Sequence, residues 1–338
     1  MSKTFSRPTA AAVVYIGFAV YLYQPHFKTF NKLQYLILIN VCLASLGCFA
    51  LSRRWVSSLL GSLFAGAIYG FGPFALGLAG YHPTAGFLAA TMPWLFLPAA
   101  FGPKGKWQWL RVPLSALPFL AILLFFQVFS RYRLFAVPMQ NRLHLADLIG
   151  LAAPLVAAQQ DITLVGFYHV PIAALVMGFS MLFAARRFSV LIIFCLGAIL
   201  ATCRPLLGVS PIIWLSFSVL CCSIIIGAGL QGFCSAGLAD RRWILLSMAF
   251  MAGLSIVTLL KATKYFQVFA GFGDRYANLF LADAKMYIAG TVAIAIIFFI
   301  ARAKLRLTWL RWVVLGSATA ADIFFGARFV VDLSAFGG

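Results

Sequence analysis

A chain of 338 residues that is 63% hydrophobic and 10% charged, with mean hydropathy +1.00, has too few polar side chains to cover a water-facing surface; soluble domains are about 45–50% apolar and about 25% charged. Its net charge of +19 does not point to nucleic acid, because the cations fall in short clusters between apolar runs and form no continuous stripe or tail. Those runs last roughly 18–25 residues, the length that crosses a hydrocarbon core of about 30 Å as a helix, and they lack the alternation of a barrel strand.

Such runs describe an all-α polytopic membrane protein of about eleven spans. They are expected near 10–23, 33–52, 55–80, 85–101, 113–130, 162–185, 188–208, 211–238, 243–260, 286–301 and 309–331. The first follows Lys3 and Arg7 and resembles a signal peptide, but no small-x-small cleavage site comes after it, so it reads as a retained span. Alternate connections carry Arg53-Arg54, then Lys104, Lys106 and Arg111, then Arg186-Arg187, Arg241-Arg242, and Arg302, Lys304, Arg306 and Arg311. The chain has no glutamate, and of its seven aspartates only Asp240 falls on that side, while Asp322 lies within the last span. Cytoplasmic connections are rich in Lys and Arg, so the expected orientation is N-in and C-out, with the basic face on an anionic inner leaflet. Trp55, Trp107, Trp109, Trp243, Trp309 and Trp312 adjoin these cations, at the depth where an amphipathic indole settles. The expected location is a bacterial inner (cytoplasmic) membrane.

Two longer segments face the other side. Segment 131–161 carries Arg131, Arg133, Arg142, His144, Asp147 and Asp161 around an apolar stretch, 148–158. That stretch is too short to span and reads as an interfacial or re-entrant helix. Segment 261–285 reads as an outer loop holding Lys261, Lys264, Asp274, Arg275, Asp283 and Lys285. The seven cysteines all lie in apolar runs and read as small core residues.

Two pairs of boundaries match. Arg53-Arg54-Trp55 resembles Arg241-Arg242-Trp243, and Lys104-Gly105-Lys106-Trp107-Gln108-Trp109-Leu110-Arg111 resembles Lys304-Leu305-Arg306-Leu307-Thr308-Trp309-Leu310-Arg311. This gives a parallel 5+1+5 repeat: half A at 1–130, the outer loop 131–161, a linker span at 162–187 and half B at 188–338. Parallel repeats are one plan of membrane carriers, with the substrate between the halves.

Asp322 is the costliest residue, since a charge at the bilayer centre costs about 2.5–3.5 kcal/mol on insertion scales. It is expected to face the protein interior, with Arg328 or Arg204 as its partner, or a backbone carbonyl if the carboxyl is protonated. His169 and Asp161 flank the start of the sixth span and are too far apart in sequence to share one metal ion. An ion or substrate path would run past Asp322, Arg328 and Arg204, with Arg131, Arg133, Arg142, His144, Asp147, Asp161, His169, Asp274 and Arg275 towards the outer face. No nucleotide-binding glycine loop, His-Glu-x-x-His or Asn-Asp-x-x-Asp motif occurs, so no cofactor or metal is expected. Arg204 with Gly208, and Asp274-Arg275, loosely resemble the arginine arrangement of O-antigen ligases and polymerases, which implies a site for a lipid pyrophosphate. The late His-Asn of that family is missing. Three functions compete: a permease for a small, anionic or lipid-like solute; an accessory subunit held by partners in a membrane complex; and an enzyme acting on a lipid-linked anionic substrate.

Overall fold

The computed structural model describes residues 2–28, 30, 35–81, 83–102, 110–111, 114, 117, 142–159, 165–184, 188–204, 210–237, 240–268, 274–303 and 307–336. Among these residues every regular element is a helix. Six helical stretches are long and apolar enough to cross a membrane: Tyr35–Ser52, Leu59–Gly80, Pro211–Ser235, Arg241–Gln267, Asp274–Arg302 and Thr308–Leu333. Large apolar side chains face outward along them, as in Leu260 at 66% exposure and Phe299 at 62%. Water tolerates no such continuous outer surface, whereas lipid requires it.

The chain forms two compact units, Met1–Phe71 with Leu78–His144 and Ser189–Ile224, and Gly72–Gly77 with Leu145–Phe188 and Ile225–Gly338. In the first unit, helices α1 (Ser2–Tyr23), α3 (Leu59–Gly70) and α5 (Pro83–Phe101) each pack on α2 (Tyr35–Ser52). Helix α3 ends at Phe71, and a further helix, α4 (Pro73–Tyr81), starts two residues later. The expected single span 55–80 is thus a broken one. Polar side chains tie neighbouring helices through backbone carbonyls: Tyr15 Oη donates to Leu63 O at 2.7 Å, Tyr69 Oη to Ala89 O at 2.6 Å, and Trp94 Nε1 to Leu43 O at 3.0 Å. Such bonds and close packing hold helices together where lipid removes the hydrophobic drive. Helix α9 (Phe188–Thr202) also belongs here.

The second unit contains the short helices α6 (Ile149–Ala152) and α7 (Pro154–Gln159), then α8 (His169–Ala184) and the end of α10 (Pro211–Ser235). It closes with α11 (Arg241–Val268), α12 (Asp274–Arg302) and α13 (Thr308–Phe336). Helices α11 and α12 pack closely on each other, and α12 also contacts α13, α8 and α7. Where α8 meets α10, a Cβ on Gly178 would collide with Ile225 O and one on Gly229 with Ala174 O, the small-residue contact of membrane helices. Arg311 is buried and donates to Ala236 O at 2.7 Å, a cation on the carbonyls at the end of α10.

One expectation changes here, and two others gain detail. Segment 261–285 is no outer loop: α11 continues to Val268 and α12 starts at Asp274. Residues 261–268 and 274–285 contain neither Gly nor Pro, so charge alone could not end the helices. Lys261, Lys264, Asp274, Arg275 and Lys285 point outward while Ala262, Ala277, Phe280 and Asp283 are buried. The stretch 148–158 is two helices broken at Ala153, ahead of Pro154, and its Gly150, Val156, Ala157 and Ala158 are buried within the unit. Within the sixth span, expected from 162, residues 165–168 are non-helical and buried, and a helix starts at His169. The expected span 113–130 lies almost wholly outside the described residues.

Candidate functional site

The non-helical run 165–168 lies directly on α6. A Cβ on Gly150 would strike Val165 O, and one on Gly166 would strike Gly150 O, so backbone rests on backbone with no side chain between. Irregular backbone survives in a membrane only when buried in protein or lining a cavity, and this run is buried throughout. It delivers His169 as the first residue of α8 into the middle of the unit, at 1% exposure.

Both ring nitrogens of His169 meet a carboxylate. Nδ1 lies 2.8 Å from Asp322 Oδ1 on α13, and Nε2 lies 2.8 Å from Asp283 Oδ1 on α12. Both aspartates are buried as completely as the histidine. The other oxygen of Asp322 accepts the Val170 N–H at 2.6 Å, satisfying a donor in the first turn of α8. Asp283 Oδ1 also accepts the Leu155 N–H at 3.3 Å, and its Oδ2 is buried with no hydrogen-bond partner among the described residues. The Tyr287 ring packs at a near-right angle to the imidazole, 4.6 Å between centroids, and its hydroxyl donates to Leu151 O at 3.3 Å.

Counting protons sets the lowest charge that the two bonds allow. Two short hydrogen bonds between one imidazole and two carboxylates need two protons. An imidazolium with two carboxylates, or a neutral imidazole with one carboxylic acid, both carry one net negative charge. Such a charge in an apolar interior is costly unless it is further compensated. At about 1.5 Å per residue, Asp283 lies roughly 28 Å along α12 from Arg302, and Asp322 roughly 16 Å along α13 from Arg311. The triad therefore lies well along both helices from the ends that carry those arginines.

No protein-family model, curated protein or solved structure matches this chain. The triad is therefore interpreted through its own geometry.

Of the residues singled out in the sequence, His169 and Asp322 come together. Asp322 is buried, but Arg328 is not its partner: that guanidinium is half-exposed and pairs with Asp332 at 2.9 Å, one turn away on the same helix. Arg204 is exposed after the end of α9, Arg142 and His144 are exposed, and Asp274 and Arg275 are exposed in the first turn of α12. Asp147 is buried in a short 3-10 turn. Arg131, Arg133 and Asp161 lie outside the described residues. Asp283 figures in the sequence reading only as one charge of the expected outer loop. Its signal was the series Phe280, Asp283, Tyr287, Gly290, Ile294, which repeats at helical spacing and extends a buried face into the charged segment. Among the described residues no group of three or more His, Cys, Asp or Glu side chains is placed to hold a metal ion.

Proposed function

We propose that the chain is a proton-coupled carrier of a small anionic or lipid-like solute, with the Asp283–His169–Asp322 triad as its coupling site. The observation that carries this reading is a buried carboxylate–imidazole–carboxylate chain, which is one net negative when it holds two protons, next to a broken helix pair and a buried non-helical run. Ionisable groups at such depth mark ion and proton paths, and discontinuous helices form the ion sites of many carriers. A third proton on Asp283 Oδ2 would neutralise the triad without disturbing either bond to His169. Loading and release of that proton then changes the charge of the α8–α12–α13 junction by one unit, enough to favour one packing of these helices over another.

The test is reconstitution of the purified chain in liposomes holding a pH-sensitive dye, with a panel of small carboxylates, organophosphates and amphiphilic anions offered outside. One solute class is expected to enter together with protons. Asp283→Asn and Asp322→Asn should still exchange that solute across the bilayer but no longer move protons with it. Unchanged proton movement in both variants would remove the triad from the mechanism, and a folded protein that moves no solute in the panel would favour the subunit or enzyme reading.

A further inference from the structure

Far from the triad, the α11–α12 hairpin ends in a cluster of cations. Arg241 and Arg242 open α11, and Arg302 closes α12. Together with Gly237, Leu245, Phe298 and Ala301 they line a hollow of about 470 Å³, within the roughly 300–1,000 Å³ of small-molecule sites. None of the three guanidinium groups has an ion-pair partner among the described residues. The nearest acid in sequence, Asp240, accepts the Gly237 N–H at 3.0 Å, and Arg311 is turned inward onto the carbonyls of Ala236 and Cys234. Three like charges around one hollow repel each other unless an anion enters. The first-turn N–H groups of a 28-residue helix, α11, favour an anion at the same end.

The remaining wall is apolar and runs onto the outward flank of the hairpin. Leu245, Leu246 and Phe250 on α11, and Ile296 and Phe299 on α12, are each more than two-fifths exposed. Trp243 is exposed beside the arginines, as expected of an indole at headgroup depth. A free phosphate would use the arginines and leave this flank bare. An anionic phospholipid uses both, with its phosphate among the guanidinium groups and its acyl chains along the flank. We infer that this hollow is a specific site for an anionic phospholipid of the leaflet on the arginine side, a reading independent of the triad. Basic pockets between helices on the cytoplasmic side are established seats for such headgroups.

The experiment uses the full chain, purified and delipidated, with lipid binding followed by native mass spectrometry in mixed micelles. Dioleoylphosphatidylglycerol is compared with dioleoylphosphatidylcholine, and inorganic phosphate and glycerol 1-phosphate serve as soluble competitors. The phosphatidylglycerol should bind more tightly, and the combined Arg241→Gln, Arg242→Gln, Arg302→Gln variant should lose that preference. Three cations near a surface correspond to a loss on the order of 100-fold. The matching triple Lys variant, which keeps the charges, should retain most of the binding, and Arg275→Gln, a cation at the opposite end of α12, should not change it. Equal binding of the two lipids, equal loss in Arg275→Gln, or displacement of the lipid by either soluble phosphate at similar concentration would overturn the proposal.

Discussion

For single residues, the triad predicts that shape and charge can be separated at Asp322. In Asp322→Asn the amide oxygen can still accept the Val170 N–H while the amide nitrogen donates to Nδ1 of a neutral His169, whose Nε2–H then donates to Asp283. Every polar group stays paired, so folding stability should change by about 1 kcal/mol or less. Asp322→Ala leaves the Val170 N–H and a ring nitrogen buried without partners and should cost about 3–5 kcal/mol, as breaking buried ion pairs does. Thermal unfolding of both variants in one detergent checks this. Equal destabilisation by Asn and Ala would mean that the imidazole cannot switch its donor nitrogen. Asp322 was recognisable in the sequence because an aspartate in an apolar span is rare and expensive. Its partner was not, since His169 lies 153 positions away and no local spacing links them.

Among the helices, close contacts depend on residues with no side chain to spare. Gly229→Ala would drive a methyl group into Ala174 O and push α10 from α8, at about 1–3 kcal/mol. Gly253 on α11 is exposed, and a methyl group added there would meet open space, with nothing within 4 Å. Gly253→Ala should therefore be neutral or gain up to about 1 kcal/mol from helix propensity. Paired melting curves in detergent test the contrast, and a Gly229→Ala protein as stable as Gly253→Ala would show that the α8–α10 contact yields freely. Element ends were harder to read than element existence. Charged residues at 261–285 look like a loop when hydropathy is the guide, yet a helix ends only where backbone geometry or unsatisfied carbonyls end it. The buried cluster of Ala153, Val156, Ala262 and Phe280 packs α7 against the extensions of α11 and α12, which gives those charged turns something to fold against.

For the molecule as a whole, the orientation is a prediction from charge. Arg53, Lys106, Arg187, Arg242 and Lys304 should face the cytoplasm, and His82, Asn141 and Asp274 the opposite side. Single cysteines at these positions, in a background without the seven native ones, should label accordingly with a membrane-impermeant maleimide. Labelling of Arg187→Cys and Asn141→Cys from the same side would overturn the scheme. In the hairpin, Arg242 and Arg302 share one end and Asp274 begins α12 at the other, so the scheme places these two ends on opposite sides.

That this chain folds as apolar helices was legible from its residues alone, because composition and the length of apolar runs decide the solvent a helix can face. So was the need to shield Asp322 from lipid, because the cost of an unpaired charge there does not depend on which residue offsets it. The bridge of His169 between Asp322 and Asp283, the continuation of the helices of segment 261–285 past their apolar limits, and the meeting of three arginines around one hollow emerged only from the packed fold. Each of these depends on which helices lie side by side. Apolar helices carry little local information about their neighbours, since one lipid-like face packs on another nearly as well. The few small and polar residues that choose between them act across long stretches of chain, as His169 does with Asp322.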